Sequence, residues 1–349
     1  PQYVSSAVID GGALNVSISG SYAYVVSGLS RLHVINIINP ASPWIISSLF
    51  LGNTGYDVTI SGDYAYVATG PAGLVVIDIS DPSDPWITGR ESTLGASSGV
   101  TVYGNYAYVA AGVAGLAVID VSNPGSPQLL GNVDTGGARG VAFSSDHAFV
   151  GGGSVKVVDV TSPFSPSLVG SVGAPWESVD IAISGNHAYL ADLSYGLQVV
   201  DISNPGSPQL VGSDETLGML THGVAVSGSY AYVTNTDPYG PPVDGLRVID
   251  ISTPESPQFV GSVDTRGGDA CDVAISGNYA YVAEGQFGLV AVDVSDPENS
   301  QFVGYVNTPG EARGVAISGQ FAYVADSAWL QVIDITNPAI LQIVGFVYA

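Results

Sequence analysis

Apolar residues along this chain fall into short runs, and none follows the 3.6-residue period of a helix. The runs recur in one order. A first strand such as "GVAIS" (Gly314 to Ser318) is followed by a Ser-Gly-Asn type turn, suited to a tight hairpin because glycine tolerates positive φ. A second strand of the "YAYVA" type leads through a glycine-bearing loop to a third, "GLVVIDIS" (Gly73 to Ser80). Its nearly continuous apolar character predicts a strand covered on both faces. "DPSDP" (Asp81 to Pro85) then breaks the ladder, because proline lacks an N–H. A fourth strand resembles "PQLVGSDET" (Pro208 to Thr216).

The aromatic-Ala-aromatic-aliphatic core of the second strand begins at Tyr22, Tyr64, Tyr106, His147, His187, Tyr230, Tyr279 and Phe321, a period of 40 to 49 residues. Four strands per unit of that length are the pattern of a propeller blade. The expected fold is an all-β, eight-bladed β-propeller with four antiparallel strands per blade, forming one domain over residues 1–349. The middle residue of each first strand is small: Ser17, Thr59, Thr101, Ala142, Ala182, Ala225, Ala274 and Ala316. This fits strands that line a crowded axis, with flanking Val and Ile wedged between blades.

"GLVVIDISDPSDP", "GLAVIDVSNPGSP" and "GLQVVDISNPGSP" resemble the LVIVD repeats of bacterial and archaeal cell-surface proteins. The resemblance spans essentially the whole chain. It implies a β-propeller and an extracellular address, and little about activity. Blade 1 departs from the pattern, with Asn36 in place of the repeat Asp. The last two repeats, "DPENS" and "NPAIL", lose the second proline of the turn. The repeated Asp (Asp78, Asp120, Asp159, Asp201, Asp250, Asp293 and Asp334) is expected to accept hydrogen bonds from turn amides, because a residue needed once per blade serves the blade.

The strand count is uneven. "PQYVSSAVID" opens the chain with a fourth-strand pattern, and "LQIVGFVYA" closes it with another. Eight sheets thus have nine candidates for their outer edge. Residues 14–349 supply the eight blades. Residues 1–10 then serve either ring closure or exchange. In the first case they pair onto the last blade, and the C-terminal strand adds a fifth or hangs free. In the second a terminal strand pairs with another molecule, giving a head-to-tail, self-assembling filament.

Composition narrows the partners. The chain carries 31 acidic and 7 basic residues, for a net charge of −24. That disfavours nucleic acid and anionic membranes. No apolar run is long enough for a membrane helix. Cys271 is the single cysteine, which excludes an intrachain disulfide. The chain begins at Pro1 and its one methionine is Met219. The expectation is an exported protein whose signal peptide has already been removed.

Ligands of propellers usually meet the loops at one mouth of the axial channel. The segments before the first strands supply Tyr56, Asp57, Arg139, Trp176, Glu177, Asp180, His222, Asp272 and Arg313 as candidate ligand-binding residues. The loops between second and third strands add Asp192, Asp237, Glu284 and Asp326. "NTDPYGPPVDG" (Asn235 to Gly245) faintly resembles a calcium loop, with Asn235, Asp237 and Asp244 as its donors. It lacks the closing bidentate Glu and is interrupted by prolines, so a rigid protrusion is the preferred reading and no cofactor is expected. "GASSG" (Gly95 to Gly99) matches Gly-x-Ser-x-Gly but lacks the strand-turn-helix setting of a nucleophile elbow. His33, His147 and His187 read as packing residues.

The leading function is a non-enzymatic, extracellular scaffold or adhesion module whose partners are other copies of itself or other surface proteins. One alternative is a carbohydrate- or peptide-binding module at the channel mouth. The other is a hydrolase or lyase with an acid, Arg and His site there, which requires Asp180, His222, Asp272 and Arg313 to cluster.

Overall fold

The computed structural model describes residues 12–39, 42–144, 146–152, 154–173, 178–215, 220–236, 245–265, 268–327 and 329–348. Their strands form eight four-stranded sheets, in each of which the chain runs from the inner strand to the outer one. Blade 1 comprises Ala13–Ser19, Tyr22–Ser27, Arg31–Asn36 and Trp44–Phe50. Blade 8 comprises Ala312–Ser318, Phe321–Asp326, Trp329–Asp334 and Gln342–Tyr348. Inner strands of successive blades touch around a circle, and Ala13–Ser19 touches Ala312–Ser318 to close it. At that closure the Ala13 N–H donates to the Ser327 carbonyl at 2.6 Å. The sequence therefore builds the expected all-β propeller of eight blades.

The core lies between the blades. Among the described residues, eight hydrophobic clusters occur, one at each seam. The seam between blades 8 and 1 joins Val25 and Ile35 to Tyr323, Leu330 and Val332. A lone four-stranded sheet with two apolar faces would leave both in water, so each blade depends on its neighbours. Every fully buried Val, Leu or Ile contributes about 1.5–3 kcal/mol. The small mid-strand residues, from Ser17 to Ala316, are half-buried on the inner strands.

Local chemistry sets the turns. In the inner hairpins Gly62, Gly104 and Gly185 have φ near +58°, as the first position of a tight two-residue hairpin turn requires. Each repeat Asp accepts the N–H two residues on: Ser80 to Asp78 at 2.9 Å, Ser122 to Asp120 at 2.8 Å, and likewise at Asp159, Asp201, Asp250, Asp293 and Asp334. In blade 1 Asn36 does the same work, accepting from Ile38 at 3.0 Å.

The proline-bearing turn also touches its neighbour. A Cβ on Gly131 would run into Pro166 of the next blade, and one on Gly170 into the Pro205 carbonyl and Pro208. Blade 1 carries Ser47 at this outer-strand position, and its hydroxyl donates to the Pro82 carbonyl of blade 2 at 2.7 Å. Each outer strand also has a register shift beside this position, for example opposite Val118 and Ile119, which bends the edge.

One expectation is corrected. The C-terminal strand neither adds a fifth strand nor hangs free, because Gln342–Tyr348 is the fourth strand of blade 8, paired with Trp329–Asp334. All eight blades thus hold an outer strand of their own. Residues 1–10, expected to close the ring or exchange, lie outside the described residues.

Candidate functional site at the axial mouth

The inner strands begin at one end of the axis, where a cavity of about 280 Å³ opens. Its lining spans blades 1 to 5 and includes Asn15, Tyr56, Asp57, Ser98, Arg139 and Asp180. Four of the sequence-predicted ligand residues, Tyr56, Asp57, Arg139 and Asp180, therefore share one cavity. Tyr56 is exposed, and Gly70 makes room for its ring. Arg139 is exposed.

The acids at this mouth are committed to the blade junctions. Asp57 accepts the Val58 N–H at 2.9 Å and, across the seam, the Val100 N–H of blade 3 at 2.8 Å. Asp180 accepts from Ile181 at 2.8 Å and from Val224 of blade 6 at 2.9 Å. Asp272 accepts from Val273 at 2.8 Å and from Val315 of blade 8 at 2.9 Å. Each carboxylate bridges its own inner strand to the next.

The sequence carries a signal for this bridge that the mouth-ligand reading misses. The residue two before the small mid-strand position is Asn15, Asp57, Gly99, Gly140, Asp180, Gly223, Asp272 and Gly314 in blade order. Every Asp is followed in the next blade by Gly. A Cβ on Gly314 would lie 3.8 Å from the Asp272 carboxylate, an ordinary contact, so the glycine stands beside the bridge without being required by it. Blades 3 and 4 both carry Gly, no carboxylate spans them, and a Cβ on Gly140 would meet open space. The cavity opens beside that gap.

Enclosure affects these groups. Burial raises the Asp57 and Asp180 carboxyls against the pull of their two amide partners. Burial pushes Asp272 up to about 6, opposed by the Val315 N–H and assisted by the negative charge of Asp180.

The remaining candidates sit elsewhere on the rim. His222 lies at a bulge of the blade 6 inner strand, where burial lowers its imidazole and Asp269 pulls the other way. Arg313 pairs with Glu311 at 2.8 Å, both largely exposed. Such a pair contributes little to stability. Cys271 donates to the Asp269 carbonyl at 3.2 Å, and burial, with Asp269 adding to it, pushes its thiol up to about 11. Neither His222, Asp272 nor Arg313 lines the cavity that holds Asp180. An acid, Arg and His site is not assembled there. Trp176, Glu177, Asp237 and Asp244 lie outside the described residues, and Asn235 is buried at the end of its strand. Among the described residues, no group of three or more His, Cys, Asp and Glu is placed to hold a metal ion.

Other sequence motifs resolve locally. Ser97 of "GASSG" is buried, and its hydroxyl lies 2.9 Å from the Gly73 carbonyl and 3.1 Å from that of Gly70. His33 is buried between the hydroxyls of Ser27 and Ser48 at 3.3 and 2.8 Å. His147 and His187 face Asp159 and Asp201 across their ladders. The loop acids Asp192, Glu284 and Asp326 are fully buried at the ends of second strands. Asp326 accepts from the Gly310 N–H at 3.0 Å and the Gln331 amide at 3.3 Å.

A closed circle of eight such sheets around an axial cavity defines a β-propeller. The LVIVD repeat model matches residues 10–49, 52–93, 94–135, 136–173, 177–216, 220–265, 267–308 and 309–348, one match per blade. The chain belongs to the LVIVD-repeat family. No curated protein matches its sequence. Solved structures share the fold at low identity. The computationally designed Ika8 protein superposes with a TM-score of 0.76 at 13% identity, over 92% of this chain and 95% of its own. BamB from Moraxella catarrhalis gives 0.69 at 15% identity, over 93% and 94%. Sqt1 from Saccharomyces cerevisiae gives 0.75 at 10% identity, over 96% and 100%.

Proposed function

We propose that this propeller is a non-enzymatic scaffold or adhesion module at a cell surface, and that it binds other surface proteins and further copies of itself. The observation that supports this reading most is the use of the mouth acids. Asp57, Asp180 and Asp272 each give both carboxylate oxygens to backbone amides, one of them across a blade seam. A general acid or base must reach a substrate proton, and these groups are aimed at the ring itself.

Self-association is supported by the strand arithmetic. Eight outer strands complete eight blades, yet "PQYVSSAVID" repeats the outer-strand pattern of "PQFVGSVDT". Residues 1–10 are offered to an outer edge of a neighbouring copy, where main-chain bonds supply affinity and alternate side chains supply register. Donor and acceptor differ, so the contact is head-to-tail. Sedimentation velocity of the full chain and of a chain lacking residues 1–10 tests this. The full chain is expected as a concentration-dependent series of multimers, and the shortened chain as a monomer. Identical distributions for the two would refute strand exchange.

A second reading, a carbohydrate- or peptide-binding mouth, is favoured by the cavity beside Gly140, with exposed Tyr56 and Arg139 on its lining. It is compatible with a scaffold, because neither residue takes part in the carboxylate bridges.

A further inference from the structure

The opposite end of the ring, where the inner hairpins and the proline-bearing turns lie, carries a second cavity, of about 240 Å³, between blades 3 and 4. Two departures from the repeat make it. The last inner-strand residue is Ser in seven blades (Ser19, Ser61, Ser144, Ser184, Ser227, Ser276 and Ser318) and Tyr103 in blade 3. The residue before it is Ile or Val in seven blades and Phe143 in blade 4. The two exceptions fall in adjacent blades and meet. Their rings stack at 4.8 Å with 24° between planes, and Tyr108 lies against Phe143 at 4.6 Å.

Packing alone does not require these residues, because the other blades close the same hairpin with Ser and an aliphatic side chain. Tyr103 remains 54% exposed despite the stack, so much of its ring is available to a ligand. Tyr106, Tyr108 and Asp146 complete the chemistry of the cavity, and none of its lining residues is basic. Burial, more than any neighbouring charge, pushes the Tyr108 hydroxyl up to about 12, and Asp146 is the one carboxylate among the lining residues. Aromatic faces carry negative charge density and attract cations, most strongly where water is displaced. A carboxylate at the rim supplies the counter-charge, and the net charge of −24 raises the local concentration of cations.

We propose that the aromatic cavity formed by Tyr103, Tyr106, Tyr108 and Phe143, with Asp146 at its side, binds an alkylammonium group. The group is either a free quaternary ammonium compound or the ammonium of a lysine side chain on a partner. The site shares no lining residue with the axial mouth, so its fate is distinguishable from that of the binding-mouth reading.

Titration calorimetry on the intact protein tests it with four probes. These are choline, its neutral isostere 3,3-dimethylbutan-1-ol, Nα-acetyl-lysine amide and glucose. Saturable binding of choline or of the lysine derivative, about tenfold or more tighter than the isostere, is the expected result. The tighter of the two names the source of the ammonium. Tyr103→Ser and Phe143→Ile restore the residues of the other blades and are both expected to lose about tenfold or more in affinity. The change at the exposed Tyr103 is expected to leave the thermal midpoint unchanged, whereas that at Phe143, packed against the seam, is expected to lower it without unfolding the ring. Asp146→Asn is expected to weaken the cation and leave the isostere unchanged. The proposal is overturned if neither ammonium binds, if the isostere binds equally well, if only glucose binds, or if both repeat-restoring variants bind like the parent.

Discussion

Asp272 shows how one side chain serves the ring and pays in electrostatics. It holds blade 7 to blade 8 through the Val315 N–H, yet its carboxyl is pushed up to about 6 by burial. A folded pKa above the unfolded value near 3.8 means that the folded state keeps its proton longer. Its contribution to stability is therefore full below pH 4 and is lost as pH rises through 6. From pH 4 to pH 7 the loss from this group is about 2 kcal/mol. Asp57 and Asp180 are raised in the same sense. The nearly exposed turn acids Asp120 and Asp250 are lowered, chiefly by the Ser122 hydroxyl and the Ser252 N–H, so their contribution is lost only as pH falls below the usual carboxylate range. Denaturant unfolding of Asp272→Asn beside the parent at pH 4 and pH 7 isolates the first effect. The variant is expected to lose a large part of the decline, and parallel pH profiles would contradict the assignment. The sequence made Asp57, Asp180 and Asp272 visible as unusual residues before the inner strands. Their purpose was hidden because the amide each one meets lies more than forty residues away in the chain.

At the scale of the element, the strands and turns were legible because each repeat writes the same local instructions. Alternation, a hairpin glycine and a proline turn fix a blade, and the repeat Asp closes its own turn within two residues. The contact of that turn with the preceding blade was not legible, since only the absence of a side chain marks it. Gly170 sits under Pro205 and Pro208, with no space for a Cβ. Gly170→Val is expected to destabilise the protein by about 1–3 kcal/mol through overpacking. The thermal midpoint, read by circular dichroism, should drop by about 1–2 °C for each kcal/mol. The same substitution at Gly140, whose Cβ would meet open space, should cost less. An equal loss at the two positions would mean that strand propensity, and not the neighbouring turn, sets the requirement for glycine. Tyr103 and Phe143 belong to this scale too. They stand in the sequence as breaks in the repeat, but nothing local to a hairpin end shows that two such breaks in adjacent blades meet.

For the whole molecule, eight seams bury what no single blade could, and the last seam joins Val25 and Ile35 to Leu330 and Val332. Repeats that stack along a line share pairwise burial but leave two ends exposed; a ring leaves none. Closure was legible from the small residues of the inner strands, whereas the place of the C-terminal strand was not, because two segments share the outer-strand pattern. Small-angle X-ray scattering on the monomer fraction measures closure most directly. A closed ring of this length predicts a radius of gyration of about 20 Å and a compact distance distribution. A markedly larger radius with the long tail of an extended array would contradict it.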